Sequence, residues 1–207
     1  MSIYKTRIEQ MKELLAKEGI DFYLVPTADF HNSEYVNDYF KVRKFLSGFT
    51  GSNGTLVISQ KETGLWTDGR YFVQAEKELA GSGIVLYRMA EEGVPTIEEY
   101  LDQNVTEGQT IGFDGRVVDL KLGRELAESF PLRWELDLSD QIWAQRPPLA
   151  ASAIYALPRE VTGESAASKL ERIRRAMREA GARKSPGSGI CARAMSRTRR
   201  YSMRSCC

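Results

Sequence analysis

Residues 7–26 read RIEQMKELLAKEGIDFYLVP, and a change of period inside this stretch decides the fold class. Ile8, Met11, Leu14 and Leu15 recur at helical spacing with Lys, Glu and Gln between them, which predicts a helix with one apolar face. Gly19 is the predicted stop, because glycine takes the left-handed conformation that closes helices. Phe22, Tyr23, Leu24 and Val25 then form a short apolar run ended by Pro26, which predicts a buried strand. Helix, glycine, strand is the opening of a layered α/β arrangement.

The same grammar continues outward from this stretch. Tyr35 to Phe40 is predicted as a short helix entered near Asn32 or Ser33. A Gly-rich passage follows, with Gly48, Gly51 and Gly54. Thr55 to Ser59 and Gly64 to Thr67 read as two strands joined by the polar turn from Gln60 to Thr63, a hairpin. Asp68 is placed to cap a helix carrying Tyr71, Phe72, Ala75 and Leu79. Ile84 to Tyr87 reads as a strand, and Thr96 opens a helix with Glu99 at capping-box distance. Ile111 to Phe113 reads as a strand, Val118 to Phe130 as a helix and Leu132 to Leu136 as a last strand. About six strands with helices between them make an α/β domain over residues 1–140.

Arg146, Pro147 and Pro148 predict an extended linker, taken as residues 141–165. From Lys169 the opening grammar returns: KLERIRRAMREAG at residues 169–181 parallels RIEQMKELLAKEG at residues 7–19. Residues 166–182 therefore read as the start of a second domain of the same kind. The stretch after Ala182 cannot supply the apolar strand that should follow, since it holds Pro186 among Gly and Ser. Residues 183–207 are expected to be disordered.

Of 29 Lys and Arg residues, seven lie after Ala182, where there is no acid; residues 1–182 hold the other 22 against 28 Asp and Glu. All three cysteines, Cys191, Cys206 and Cys207, also lie in that last stretch. An acidic, cysteine-free body suits a reducing compartment. No run of about 18 apolar residues predicts a membrane span, and residues 1–10 lack a signal-peptide stretch. The expectation is a cytoplasmic protein with no membrane partner.

Few residues point to chemistry by type and spacing. The three glycines fit no phosphate-binding pattern and precede a strand, whereas a phosphate loop follows one. They read as a tight, backbone-close turn. His31 is the single histidine, without the spacing of a metal site or the motif of a serine triad. Trp66-Thr67-Asp68-Gly69-Arg70-Tyr71-Phe72 gathers aromatics, an acid and an arginine at a strand-to-helix turn. Asp68 as a cap and Arg70 as its neighbour's counterion is one reading; a wall facing another domain's substrate is the other. The arginines after Ala182 would attract phosphates without specificity, and no aromatic platform organises them for nucleic acid.

Residues 45–55, FLSGFTGSNGT, followed by residues 65–75, LWTDGRYFVQA, resemble the N-terminal domain of the creatinase and aminopeptidase P family. The likeness is greatest to the three-domain cytosolic Xaa-Pro aminopeptidases. Val25-Pro26 followed by residues 29–35, and residues 142–147, resemble that family's segment after its first strand and its junction between domains. The resemblance covers about residues 1–181. It implies a mixed sheet flanked by helices, followed by a related second domain. It also implies a third, catalytic domain in which two metal ions, usually manganese, activate water to cleave the bond before a proline in second position.

His31 does not match the family's metal histidine, so the resemblance assigns no metal ligand, catalytic residue or cofactor to this chain. It implies that the first domain shapes the active-site entrance, which makes Asp68, Arg70 and Tyr71 candidates for substrate or domain contact. The expected function is that of a non-catalytic N-terminal part of such an aminopeptidase, meeting peptide only with the catalytic domain. A stand-alone peptide- or protein-binding module is the alternative. The tail after Gly181 is expected to be an out-of-frame reading of the second domain, because acid vanishes there while Arg, Ser, Gly and Cys rise together. The DNA encoding it, with an open or a closed shifted frame, decides that point.

Overall fold

A computed structural model describes residues 2–135, 137–149 and 151–181. The chain divides into two compact units, residues 1–151 and residues 152–207. The out-of-frame expectation for the tail lies outside the described residues.

The first unit is built on a six-stranded mixed sheet. Its strands are β1 (Phe22–Pro26), β2 (Thr55–Ser59), β3 (Thr63–Thr67), β4 (Val85–Arg88), β5 (Ile111–Phe113) and β6 (Leu132–Arg133). They lie in the order β4-β3-β2-β1-β5-β6. The β1–β2 and β2–β3 pairs are antiparallel, while β3–β4, β1–β5 and β5–β6 are parallel. Seven helical segments accompany it among the described residues: α1 (Ile3–Glu18), α2 (Val42–Ser47), α3 (Phe72–Glu78), α4 (Ile97–Asn104), α5 (Leu120–Ser129) and two 3-10 turns, Asp38–Phe40 and Leu138–Gln141.

The unbroken apolar run of β1 follows from its central position. Successive side chains of a strand point to opposite faces. Tyr23 and Val25 enter one core with Ile8, Met11 and Leu15 of α1, while Phe22 and Leu24 enter the other with Tyr100, Leu101 and Leu126. Both faces are covered, so no position of β1 is free to be polar. Met11 and Leu15 are wholly buried, and truncating either to Ala should cost about 2–5 kcal/mol. Gly19 closes α1 at φ 67°, as its position predicts. Thr96 and Glu99 form both halves of the capping box on α4.

Four elements differ from the sequence reading. The helix expected from Tyr35 to Phe40 shrinks to a 3-10 turn, Asp38–Phe40, capped by Asn37 through the Tyr39 N–H at 3.0 Å. The true helix is the next one, α2, which ends on Gly48 at φ 77°. α3 begins at Phe72, not after Asp68, so Asp68 does not cap it. β6 spans two residues, with one further bridge from Asp114 to Glu135.

The stretch from residue 141, read as linker, opens with anchored side chains. Ile142 and Trp143 pack against the α1-side core. Arg146, only 6% exposed, donates to Asp137 and Asp140, each at 2.6 Å, and lies 3.8 Å over the Tyr39 ring. An arginine beside an acidic pair is a stronger tether than its proline neighbours suggested.

In the second unit, α6 (Arg159–Thr162) is followed by α7 (Ala166–Glu179), whose N-cap Ser165 accepts from Ser168 N–H at 3.2 Å. Leu170, Ile173 and Met177 occupy the repeat positions of Ile8, Met11 and Leu15, yet they are 36%, 49% and 41% exposed. Gly181 takes φ 67°, the same value as Gly19. Among the described residues no helix is long and apolar enough to cross a membrane.

Candidate functional site: the corner between the Gly-rich loop and Asp68–Tyr71

The C-terminal end of β1, the start of β2 and the end of β3 lie side by side, with Pro26 opposite Thr55 and Thr55 opposite Trp66. The Gly-rich loop and the residues after β3 therefore meet at one end of the sheet. Their side chains are bonded to each other. Arg70 grips Asp68 with two parallel bonds, Nε to Oδ1 and Nη2 to Oδ2, both 2.8 Å. The Arg70 N–H donates to Asp68 Oδ1 at 3.1 Å, a turn-forming bond where a helix cap was expected. Asn53 Nδ2 donates to Asp68 Oδ2 at 2.7 Å, and the hydroxyls of Ser52 and Tyr71 are 2.7 Å apart. All three candidates thus gather at this corner: Asp68 joined to Asn53, Tyr71 to Ser52, and Arg70 to Asp68.

The Arg70 and Asn53 bonds hold the Asp68 carboxyl far below the usual carboxylate range. The Asp68–Arg70 pair is solvent-facing, so it fixes geometry more than it adds stability.

Beneath the loop sits an arginine that the sequence did not single out. Arg43, on α2, is 4% exposed. Its Nε donates to Thr27 Oγ1 at 2.6 Å, and its other nitrogens donate to the carbonyls of Phe49 and Gly51. Burial lowers its pKa to about 10, against the pull of Glu78 and Tyr71. Glu78 in turn accepts from Thr50 N–H at 2.8 Å and from its hydroxyl at 2.7 Å. The loop is thus held from below by Arg43 and from the side by α3. Gly51 is obligatory in this arrangement, because a Cβ there would lie 2.3 Å from the Phe49 ring. An arginine within the basic run Lys41-Val42-Arg43-Lys44 carries no sequence signal of such a role.

Beside the corner opens a cleft of about 240 Å3, lined by Glu34, Tyr35, Lys41, Arg43, Lys44 and Ser52 among others. Tyr35 is 87% exposed at its margin. His31 stands apart: its side chain is exposed beside Phe30, with ring centroids 4.1 Å apart. Its backbone N–H donates to Asp29 at 2.9 Å.

The Creatinase/Prolidase N-terminal domain family matches residues 7–147 of this chain. Aminopeptidase P1 of Arabidopsis thaliana is 36% identical over 184 residues, which are 85% of this chain and 28% of that protein. Xaa-Pro aminopeptidase app-1 of Caenorhabditis elegans is 34% identical over 178 residues, 83% of this chain and 29% of that protein. The chain thus spans less than a third of these relatives' length. Among solved structures, the X-prolyl aminopeptidase from Caenorhabditis elegans, described as a cytosolic enzyme with a di-nuclear active site, superposes with a TM-score of 0.74 at 31% identity. That match covers 87% of this chain and 32% of the nematode enzyme.

A di-nuclear centre does not fit the residues described. No group of three His, Cys, Asp or Glu side chains is placed to hold a metal ion among them. Asp114, Asp137 and Asp140 face the guanidinium groups of Arg116 and Arg146.

Proposed function

Because this chain belongs to the Creatinase/Prolidase N-terminal domain family, we propose that it is the non-catalytic N-terminal part of a manganese-dependent Xaa-Pro aminopeptidase. The corner of Asp68, Arg70 and Tyr71 is its contact with substrate or with the catalytic domain. The observation that carries this reading is the pair of hydrogen bonds from Arg70 to Asp68, locked to the Gly-rich loop through Asn53. Paired donors and acceptors of this kind hold a wall rigid while the outer flank of Arg70 stays exposed, with its guanidinium 5.1 Å over the Tyr71 ring. The wall offers no nucleophile with an adjacent base, so chemistry at a peptide bond must come from other residues. By itself the chain does not hydrolyse peptides. Its place in the cytoplasm is supported by its likeness to a cytosolic enzyme.

The test is an assay of the purified full chain on an Xaa-Pro peptide with added manganese. No turnover is expected. Turnover that co-purifies with the chain through successive columns would overturn the reading.

A second reading, a stand-alone peptide-binding module, is favoured by the open cleft with Tyr35 at its margin. Titration with proline-containing peptides separates the two: saturable binding without any catalytic domain supports the module.

A further inference from the structure

A second cleft, of about 570 Å3, opens at the opposite end of the sheet. It lies between the β2–β3 turn, the start of β1 and the C-terminal half of α4, among them Phe22, Lys61, Glu62 and Tyr100. Its size is that of a small-ligand site. Nothing in the peptidase reading uses it.

Phe22, Tyr87 and Tyr100 make one side of the lining aromatic, and the buried Trp66 backs it. Trp66 and Tyr87 stack with centroids 4.0 Å apart and planes 1° from parallel, and Tyr100 meets both edge-on at 5.0 and 5.6 Å. Gly64 makes room for the stack, since a Cβ there would lie 2.5 Å from Trp66 and 2.7 Å from Tyr87. Both phenols converge on one atom: Tyr87 donates to Glu62 Oε1 at 2.6 Å and Tyr100 at 3.3 Å. Glu62 Oε2 has no partner among the described residues.

The charge of the lining is lopsided, and its amides keep free acceptors. Gln60 Nε2 donates to the Lys12 carbonyl and Asn104 Nδ2 to the Tyr100 carbonyl, each at 2.8 Å, leaving both amide oxygens unused. Asp21 adds a second negative charge, its oxygens taken by Thr110 N–H and Gln109. Lys61, exposed and unbonded, is the one cation of the lining. The lining therefore offers acceptors, net negative charge and aromatic surface.

We propose that this cleft binds an organic cation, an alkylguanidinium or alkylammonium group, anchored on Glu62 Oε2. The amide oxygens of Gln60 and Asn104 take its remaining N–H groups, and the phenol rings receive its alkyl part. A charged donor on a carboxylate gives the strongest hydrogen bond available here, and ring faces add to it. An anion would meet two carboxylates and one lysine, and is rejected.

The full chain is titrated by NMR with butylguanidinium and with butylurea, which has nearly the same shape and no charge. The expected result is saturable binding of butylguanidinium in the millimolar range, with shifts at Glu62, Tyr87 and Tyr100, and butylurea at least about tenfold weaker. Glu62→Gln keeps an acceptor for both phenols and should weaken butylguanidinium about tenfold, the loss of one charge-assisted bond. Lys61→Glu, at an exposed position with no bonds to lose, should strengthen it. A capped Gly-Arg-Gly peptide locates the natural source: tighter binding than butylguanidinium assigns a polypeptide side chain, and equal or weaker binding a free small cation. Equal binding of butylurea, no saturation, or indifference to both substitutions overturns the proposal.

Discussion

Trp143 lies flat on Phe45, with ring centroids 4.4 Å apart and planes 10° from parallel. The guanidinium of Arg7 also lies over Phe45, 4.0 Å from the ring centre, and donates to its carbonyl at 2.7 Å. Phe45 thus ties α1, α2 and the segment after residue 140 together. Trp143→Ala should lower the stability of the first unit by about 1–3 kcal/mol, through lost burial and the lost stack. Urea unfolding checks this: the midpoint falls while the slope is unchanged.

Asp137 is the hub of a second tether, shared by Arg116 and Arg146. Burial pushes its carboxyl up, but bonds from Ser139 and Arg146 outweigh burial and hold it below the ordinary value. A depressed folded pKa contributes stability that is present above the unfolded value of about 3.9 and is lost as pH falls through the folded value. Acid unfolding below about pH 4 should therefore be flatter in Asp137→Asn than in the parent chain. At neutral pH that substitution should cost on the order of 3 kcal/mol, because Arg146 is left buried with one charge partner fewer. Stability curves at several pH values test both statements.

Gly51→Ala should destabilise the Gly-rich loop by about 1–3 kcal/mol, since its Cβ must displace the buried Phe49 ring. Gly163→Ala, at a position with open space but φ 71°, bears on the second unit alone. Thermal unfolding of the first unit should shift with the former and stay fixed with the latter.

Trypsin should cut the second unit before the first. α6 and α7 bury no residue, and a helix of this length that buries no side chain is marginal in water. Mass spectrometry should find early cleavage at Arg159 or between Lys169 and Arg178, and a persistent fragment that retains Trp143. Early cleavage within residues 22–113 would contradict this.

The layered sheet was readable because its strands are apolar runs bounded by glycine, proline and polar turns, and α4 announced itself through Thr96 and Glu99. α2 was missed because six residues give too little periodicity to stand out, although Gly48 marked its end. The start of α3 was misplaced because Asp68 has two uses that look alike in sequence, capping a helix and closing a turn on Arg70. The candidate corner was legible as a cluster of residue types. Its support by Arg43 and Glu78 was not, since both contacts arise from chain segments that only the fold brings together.

The strand order bears on how the chain acquires its structure during synthesis. β1, β2 and β3 are neighbours in sequence and in space, so the middle of the sheet can close as soon as residue 67 has left the ribosome. The other flank of β1 must wait, because Phe22 pairs with Ile111 across the length of the domain. Until then an apolar strand edge stands open on the nascent chain, a template for pairing with a neighbouring polypeptide on the same message. Slow translation between residues 67 and 111 would prolong that exposure, and a holdase bound there would shorten it.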